Sequence, residues 1–539
     1  MRIAPMRGEK EEGVAPSCIL LHGSWVDIKS LLIAILLVST LILASEVFFK
    51  YSFIGPACSL NQVKDSIHSL KISQGTTLNE GATLADALEW RDNDNPIASD
   101  GCNTSKTIEN SHNNTTSFGK AEEVINVDNV TVIRRDFKGF GSAASIFVEF
   151  GAYRGGDNSF AIVGLGSKPL HVYGDANFQC VWEPADRVVG AVGPRVKGRA
   201  DKFLPDWGYG RVYTVVVVNC TFEEGVGVDG QGGKLILHAT SSHIDMANFV
   251  ALEETSESYA ASSASYKSKN YTYDFLYCGS SLFGDINLQR IREWLAYHVR
   301  LMGPKSHFVF HDAGGVSAQV RQVLLKWQAL GHVTLHDIRE QAKFDGYYYN
   351  QFLVVNDCLH RTRFLAKWTF FFDVDEYLYV PPQTTLLQTM QSFSNYSQIT
   401  IEQSPMSSKL CLPIHNSSTS REMWGFERLI FRNIKRGHRW DRKYAIQARN
   451  VLATGVHMSE NVVGKTMHTK GSLIKYYHYH NTITSKEAGL CKEIVNSSSI
   501  SLVTYLDEDP YQIDLGLQYV AQAVKEFELQ KIGLQQLFA

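Results

Sequence analysis

Apolar and polar residues are distributed very differently along the first half of the chain. An almost uninterrupted apolar run covers 30–49 and contains one charged residue, Glu46. Residues 50–121 are rich in Ser, Thr, Asn and Asp, and from 122 to 252 short β-like runs alternate with Gly- and Asp-rich turns. An apolar run of about 20 residues is long enough to cross a bilayer as a helix. The pattern therefore predicts a transmembrane helix, a mostly extended stem and a β-sandwich, in that order.

The second half of the chain has a different pattern. After a polar, Ser-rich connector at 253–269, apolar strand-like segments alternate with segments whose apolar residues recur at helical spacing. Strands are predicted at 273–277, 307–311, 333–336 and 368–373, with helices between them at 288–301, 317–330 and 347–361. This alternation is typical of a parallel, doubly wound sheet, which binds ligands beyond the carboxyl ends of its strands. The sequence therefore predicts an α/β domain over 253–539.

The apolar run is interpreted as a signal anchor that follows a cytosolic tail of residues 1–29. A cleaved signal peptide is the alternative, because Ala44 and Ser45 are small, but the run extends beyond them. Basic residues stand on both sides of the run, so charge alone does not set its orientation.

Glycosylation sequons and cysteines indicate which side of the membrane the rest of the chain occupies. Eight of the nine cysteines follow the run, and an even number is compatible with disulfides in an oxidising lumen. Nine sequons also follow it, which favours a luminal location. They begin at Asn103, Asn113, Asn114, Asn129, Asn219, Asn270, Asn395, Asn416 and Asn496. The chain is therefore predicted to be a single-pass type II membrane protein.

Length and charge limit the classes of partner. The chain has 539 residues and a formal net charge of -3. This length favours two folded domains with connecting segments. The near-neutral charge argues against a nucleic-acid partner held by bulk charge, so affinity for an anionic substrate must be local.

Aromatic residues give the predicted β-sandwich a candidate function. Trp182, Trp207, Tyr209 and Tyr213 could stack on sugar rings, although core packing explains them equally well. Nothing in this region indicates catalysis. We interpret 122–252 as a β-sandwich carbohydrate-binding-like module.

The strongest chemical signal is the apolar segment that ends in Asp373-Val374-Asp375. A buried strand that ends in this way places carboxylates at the edge of the sheet where a nucleotide would bind. Residues i and i+2 of extended backbone point the same way, so Asp373 and Asp375 are predicted to converge on one divalent ion. Such an ion can neutralise the charge that grows on a departing diphosphate.

A second cluster follows about a hundred residues later in Lys475-Tyr-Tyr-His-Tyr-His480. His478 and His480 would share one face of a strand, and either could complete the metal site. The alternative is a pair of hydrogen-bonded, partly buried histidines. We select His478 as the third predicted metal ligand.

Five segments together resemble a known family. They are Cys278–Ser281, Arg292–His298, Phe308–Asp312, Phe372–Glu376 and His478-Tyr479. In these segments the chain resembles glycosyltransferase family 92, and within it the plant β-1,4-galactan synthases. The resemblance covers about 122–539. It implies a membrane anchor, a carbohydrate-binding module and a catalytic domain of the GT-A (Rossmann-like) type.

The resemblance also implies an activity. It implies transfer of galactose from UDP-galactose, with Mn²⁺ as the ion and inversion at the anomeric carbon, to β-1,4-galactan side chains of pectin in the Golgi. Asp373 and Asp375 match the metal-binding motif of the family. His478 matches a His-Tyr pair that an Arg follows in many relatives, and here His480 takes that position. The sequence leaves a homodimer open.

Three further residues are predicted to contact the nucleotide of the donor. Cys278 follows the first predicted strand, Asp312 follows the second, and Lys367 opens the segment that leads to the metal motif. The Glu-Trp-x-x-Tyr-His stretch at 293–298 is expected to shape the first helix beside the nucleotide.

An inverting transfer needs one carboxylate to take the proton of the acceptor hydroxyl. Glu427, in the segment after the metal motif, is the first candidate for this base, and Glu402 and Asp441 remain open. Two other functions stay open as alternatives. One is a metal-dependent hydrolase, which also uses paired carboxylates, and the other is a membrane-anchored carbohydrate receptor without turnover.

Overall fold

The structure is a computed structural model. It describes residues 123–127, 130–134, 138–140, 145–167, 176–185, 193–208, 212–241, 244–340, 349–413, 423–436, 441–484, 491–495 and 503–533. All described residues belong to the unit His112–Ala539. The predicted tail, signal anchor and stem therefore lie outside the described residues. Among the described helices, none combines the length and the apolar character that crossing a bilayer requires.

The amino-terminal part of the described chain consists mainly of strands. They are β1 (Glu123–Val127), β2 (Val130–Arg134), β3 (Lys138–Phe140), β4 (Phe147–Arg154), β5 (Ser159–Ser167), β6 (Asn177–Pro184), β7 (Val196–Phe203), β8 (Tyr213–Thr221), β9 (Gly233–Ser241) and β10 (Ile244–Glu254), followed by helix α1 (Ser256–Lys267). Thr255 caps α1 by accepting a hydrogen bond from the backbone N–H of Ser258. The segment predicted as a polar connector is thus largely helical.

Strands and helices alternate in the remainder. The strands are β11 (Tyr273–Leu282), β12 (Ser306–Asp312), β13 (Val333–Asp337), β14 (Ala366–Phe371), β15 (Glu376–Tyr379), β16 (Gln398–Pro405), β17 (Leu410–Cys411), β18 (Phe431–Asn433), β19 (Arg442–Ile446), β20 (Thr466–His468), β21 (Lys475–His478), β22 (Glu493–Ile494), β23 (Thr504–Leu506) and β24 (Asp509–Ile513). The helices are α2 (Leu288–Met302), α3 (Ala318–Ala329), α4 (Gln351–Arg361), α5 (Leu386–Ser392), α6 (Gly425–Arg428) and α7 (Ala521–Ile532).

A large mixed sheet forms the centre of the α/β region. Its order is β1-β2-β13-β12-β11-β14-β19-β16-β21-β15, with β20 paired to β16. The neighbours from β2 to β14 are parallel, which confirms the predicted α/β arrangement, whereas β19 joins β14 antiparallel. The chain runs outward from β11 through β12 to β13 and returns to β14 on the other side of β11. The carboxyl ends of β11 and β14 therefore flank the point where the strand order reverses, which is where such sheets bind ligands.

The first two strands belong to this large sheet. Val132 of β2 pairs with Leu335 of β13, and β1 pairs with β2 at the edge. The prediction had assigned both strands to the β-sandwich module at 122–252. Short β-like runs do not show from their own sequence which sheet they join, because pairing partners lie far away along the chain.

Strands β3 to β10 form an eight-stranded antiparallel sheet of order β10-β9-β6-β7-β8-β5-β4-β3. Strand β7 links its two halves, since its first residues pair with β6 and its last with β8. Phe147, Phe160 and Trp182 are buried in a core to which both halves contribute, and the Cys180–Cys220 disulfide joins β6 to β8.

The opposite face of one half of this sheet packs on helix α4. Val163 and Val217 from the sheet share a buried cluster with Phe352 and Leu353 from the helix. The eight-stranded sheet and the α/β region are therefore joined through a common apolar core. The predicted division at residue 252 does not separate two independent cores.

Candidate active site

The Asp-Val-Asp motif forms a tight turn just beyond the carboxyl end of β14. The backbone N–H of Asp373 donates to Oε2 of Glu376 at 2.7 Å, and the N–H of Glu376 donates to the carbonyl of Asp373 at 3.1 Å. Tyr277 of the neighbouring β11 donates its hydroxyl to the carbonyl of Phe372 at 2.9 Å. These bonds fix the carboxylates at the edge where the strand order reverses.

Both carboxylate oxygens of Asp373 have partners from other elements. Gln351, the first residue of α4, donates to Oδ1 at 2.9 Å, and Lys443 of β19 donates to Oδ2 at 2.8 Å. Burial raises the pKa of Asp373, but the charge and hydrogen bond of Lys443, together with the charges of His478 and His457, hold the pKa below its ordinary value. Asp373 is therefore an ionised and firmly oriented carboxylate.

Asp375 faces His478 instead. Strand β15 pairs antiparallel with β21, which places His478 opposite Glu376. His478 Nε2 lies 3.6 Å from Oδ1 of Asp375, and its Nδ1 lies 3.6 Å from Oε1 of Glu376. Burial lowers the pKa of His478, but the two carboxylates outweigh this effect and raise it. The structure thus brings His478 to the motif, as the sequence predicted.

The ring of His478 is held from both sides. Gln403 of β16 lies 2.9 Å from Nδ1, so this amide fixes the orientation of the imidazole and leaves Nε2 facing Asp375. The ring of His480 lies against that of His478 with centroids 3.6 Å apart. Burial, and then the charge of His478, lowers the pKa of His480 to about 4. His480 is therefore a neutral ring at ordinary pH.

Besides Gln351, two charged residues of the site were missed in the sequence. Glu376 is almost fully buried, and burial raises its pKa to about 7. Lys443, whose side chain is 3% exposed, lies 3.8 Å from Glu376 Oε1 in addition to its bond with Asp373. Glu376 could have been found as the third acid of the motif. Lys443 gave no signal, because only the pairing of β19 with β14 brings it there.

The Glu-Trp-x-x-Tyr-His stretch of α2 supports the strand that follows the motif. Trp294 donates to the carbonyl of Glu376 at 2.7 Å, and Tyr297 donates to the carbonyl of Leu378 at 2.7 Å. His298 accepts the backbone N–H of Leu378 at 3.1 Å. The helix thus anchors β15, and burial lowers the pKa of His298 to about 3, so its ring is neutral.

Cys278 was predicted to contact the nucleotide, but the structure places it in a buried disulfide with Cys358 of α4. Its sulfur is therefore unavailable to a ligand. Near this disulfide, Ser281 donates to the carbonyl of Tyr349 at 2.9 Å. The Ser281 bond fixes the start of α4, and hence Gln351, beside the carboxyl end of β11, and the disulfide ties the later part of the helix to the same strand.

Of the other two predicted nucleotide contacts, Asp312 lies at the expected end of its strand and stays a prediction, whereas Lys367 lies at the opposite edge of the sheet. Asp312 is buried at the end of β12, where it accepts the backbone N–H groups of Gly314 and Val316 at 2.8 and 3.2 Å. Its carboxylate thereby orders the following loop. Lys367 stands at the start of β14, six residues of extended chain before Asp373, which is roughly 20 Å away. The opposite ends of one strand do not meet at one site.

Glu427, the predicted base, has partners within its own surroundings. It accepts the backbone N–H of Trp424 at 2.6 Å, which caps α6, and it forms an ion pair with Lys525 of α7. Of the open alternatives, Glu402 accepts the N–H of Gly471 at 2.7 Å. Asp441 is exposed, and its charge raises the pKa of His480, which stacks on His478. The base assignment stays a prediction, and Asp441 is the candidate whose charge acts on the site.

Asp375 and His478 offer the ligand types that suit a divalent ion. Within the described ranges, no group of three or more His, Cys, Asp or Glu side chains is arranged to hold a metal ion. A carboxylate oxygen and an imidazole nitrogen 3.6 Å apart are nevertheless chemically suited to Mn²⁺. Asp373 is less available, because Lys443 and Gln351 occupy its oxygens. These two side chains could hold an ion whose other ligands come from water and phosphate.

Comparisons with known proteins cover this whole edge of the sheet. The model of Glycosyltransferase family 92 matches residues 273–512. Galactan beta-1,4-galactosyltransferase GALS1 of Arabidopsis thaliana is 52% identical over 74% of this chain and 79% of its own length. GALS3 of the same plant is 48% identical over 80% of this chain and 84% of its own. Beta-1,4-galactosyltransferase galt-1 of Caenorhabditis elegans is 25% identical over 39% of this chain and 48% of its own length.

Proposed function

Because the chain belongs to glycosyltransferase family 92, we propose that it transfers galactose from UDP-galactose to the non-reducing end of β-1,4-galactan, a side chain of pectin. That it is a glycosyltransferase follows from the family itself. One observation carries the choice of galactan: the Arabidopsis relatives, about half identical to it over at least 74% of the chain, are named galactan beta-1,4-galactosyltransferases. The edge of the large sheet that carries Asp373, Asp375 and Glu376, here called the carboxylate edge, supports a nucleotide-sugar donor.

We further propose that the reaction depends on Mn²⁺ held by Asp375 and His478. When bound, the ion would neutralise the charge that builds up on the departing diphosphate. Asp373, oriented by Gln351 and Lys443, would accept hydrogen bonds from the donor. This division differs from the expectation that both aspartates converge on one ion, and it is supported by the partners each carboxylate already has.

For the acceptor, we propose a single in-line displacement with inversion. A carboxylate on the acceptor side takes the proton of the attacking hydroxyl while the bond to the diphosphate breaks. Asp441 replaces Glu427 as our first candidate, because Asp441 is exposed and its charge acts on His480. Glu427 would have to leave both Lys525 and the cap of α6 to act as a base.

We propose that the enzyme works in the Golgi lumen, anchored by 30–49. Three disulfides of the described chain, Cys180–Cys220, Cys278–Cys358 and Cys411–Cys491, support an oxidising compartment. Asn270 and Asn395, which begin two of the sequons, are exposed.

A carbohydrate-binding function for the eight-stranded sheet has weaker support. Trp182 is 1% exposed and stacks on Phe160 within the core, so it cannot form a sugar platform. Trp207 is 55% exposed, but its indole N–H donates to Glu460 of the α/β region. Tyr213 is half-buried, and Tyr209 lies outside the described residues. If the sheet binds galactan, Trp207 is the aromatic residue of this set that can reach it.

The test is a transfer assay with a panel of UDP-sugars and a labelled β-1,4-galacto-oligosaccharide. We expect lengthening with UDP-galactose and Mn²⁺, a β-1,4 linkage in the product by NMR, and no product in EDTA. Free galactose without lengthening would instead identify a hydrolase. Retained oligosaccharide binding without turnover of any donor would identify a carbohydrate receptor.

A further inference from the structure

A lysine lies within the carboxylate edge. Strand β19 pairs antiparallel with β14, with Tyr444 opposite Phe371, which places Lys443 beside the start of the Asp-Val-Asp turn. The side chain of Lys443 is 3% exposed. Its Nζ lies 2.8 Å from Oδ2 of Asp373 and 3.8 Å from Oε1 of Glu376. One buried cation therefore faces two of the three acids in this turn.

Three acids here face one side chain that is always positively charged. Asp373, Asp375 and Glu376 lie within four residues, and the cations that face them are Lys443 and, when protonated, His478. Burying a lysine is costly unless carboxylates pair with it. The proximity of a fixed positive charge also weakens the binding of any second cation at the same edge. Lys443 thus both stabilises these carboxylates and opposes the binding of a divalent ion beside them.

We propose that Lys443 is a positioning residue that orients Asp373 before the donor binds and limits how tightly the site holds a divalent cation. This role rests on the proposed function, because it assumes that a cation binds at Asp375 and His478. With Lys443 in place, Asp373 keeps the orientation in which it accepts hydrogen bonds from the sugar nucleotide. Without it, Asp373 can turn toward the ion.

The proposal requires opposite effects on binding and turnover. Removing Lys443 adds one uncompensated negative charge and frees one carboxylate, so Mn²⁺ should bind more tightly. The freed Asp373 no longer meets the donor in the productive orientation, so the chemical step should slow. A residue that only stabilised the fold would weaken both.

The experiment compares Lys443→Met with wild type by electron paramagnetic resonance of free Mn²⁺, by melting in EDTA, and by galactosyl transfer. We expect the dissociation constant of Mn²⁺ to fall about tenfold, kcat to fall about 100-fold, and the melting temperature in EDTA to drop. Lys475→Met is the matched control, since Lys475 lies on the same sheet and pairs with Asp514 at 3.3 Å. It should leave Mn²⁺ affinity unchanged.

A double variant guards against misfolding. Lys443→Met with Glu376→Gln removes the lysine together with one of the two acids that it faces, so it should melt in EDTA nearer to wild type while kcat stays about 100-fold low. Unchanged kcat, or Mn²⁺ binding that weakens in both variants, would overturn the proposal. A wild-type protein that binds no Mn²⁺ would refute the metal site itself, whereas wild-type binding that Lys443→Met does not alter would refute only the role of Lys443.

Discussion

The eight-stranded sheet and the carboxylate edge of the large sheet differ in how their buried charged side chains are paired. In the eight-stranded sheet, Arg154 binds both carboxylate oxygens of Glu254, and the two side chains are 1% and 3% exposed. This ion pair is closed and balanced. At the carboxylate edge, three acids share one lysine and one histidine.

This difference separates a structural charge from a functional one. A closed pair needs no ligand, because each charge already has a full set of hydrogen bonds. An edge with surplus carboxylate can be completed by a cation that arrives with a substrate. The Arg154–Glu254 pair therefore has a structural role, and the proposed chemistry belongs to the edge beside β11 and β14.

The largest effect should come from removing the carboxylate that faces His478. Asp375→Ala should lower galactosyl transfer about 10,000-fold, which corresponds to about 5.5 kcal/mol of barrier, because charge on the departing diphosphate loses its counter-ion. Steady-state transfer with saturating Mn²⁺ measures this. Asp507→Ala, at a side chain 72% exposed that pairs with Lys409, is the control and should change neither activity nor stability appreciably. A fully active Asp375→Ala enzyme would place the chemistry elsewhere.

A pair of core substitutions tests whether both regions contribute to the stability of the fold while only one of them affects catalysis. Phe160 lies in the core of the eight-stranded sheet, and Phe352 is a residue of α4 that packs against that sheet. Each change to Ala should lower the free energy of unfolding by about 3–5 kcal/mol. Only Phe352→Ala should also reduce kcat, since Phe352 follows Gln351, which orients Asp373.

Denaturant unfolding and transfer kinetics on the same preparations would decide this comparison. Equal loss of kcat in both variants would show that general destabilisation, and not the position of α4, controls the rate.

The sequence was sufficient for the parts of the site that lie close together on the chain. The apolar segment before Asp373 and the spacing of Asp375 predicted the sheet edge correctly. The cluster Lys475–His480 predicted that His478 lies close to the motif. Lys443 and Gln351 were missed, because they reach Asp373 only through strand pairing and helix packing. Long-range pairing has no local signature in one sequence.

The wrong assignments have the same origin. Cys278 was interpreted as a nucleotide contact, yet its disulfide partner stands 80 residues away. Lys367 was grouped with the motif because it is near in sequence, although an extended strand separates the two. Strands β1 and β2 were placed in the wrong sheet. Residues that are close in sequence lie close in space within a turn, but residues at the two ends of one strand do not.

Two disulfides offer a smaller and more local comparison. Removing Cys180–Cys220 or Cys278–Cys358 by paired Ala substitutions should each cost about 2–4 kcal/mol of unfolding free energy, since both constrain the unfolded chain. The second should also raise KM for the donor, because it ties α4 to β11 beside the site. Thermal melting and donor titration check this, and unchanged KM in both variants would contradict it.

The smallest effect is a pH dependence that belongs to the α/β region. Unfolded His298 takes up a proton below about pH 6.5, whereas burial keeps folded His298 neutral down to about 3. The unfolded state therefore binds more protons in this window, and stability falls as pH falls, by up to about 1.4 kcal/mol per pH unit. His360 adds a similar term, because its pKa is also lowered by burial, to about 3.

Unfolding free energies measured between pH 7.5 and 5 would show this slope. In His298→Gln the slope should decrease by about one proton, and an unchanged slope would mean that His298 does not stay neutral when folded.

The most direct test of the account is the position of manganese in a crystal grown with UDP-galactose, located by anomalous scattering at the manganese edge. The account predicts one peak between the carboxylate of Asp375 and Nε2 of His478, with Asp373 still bound to Lys443. A peak at any other group of side chains, or a manganese bound by Asp373 with Lys443 displaced, would contradict it.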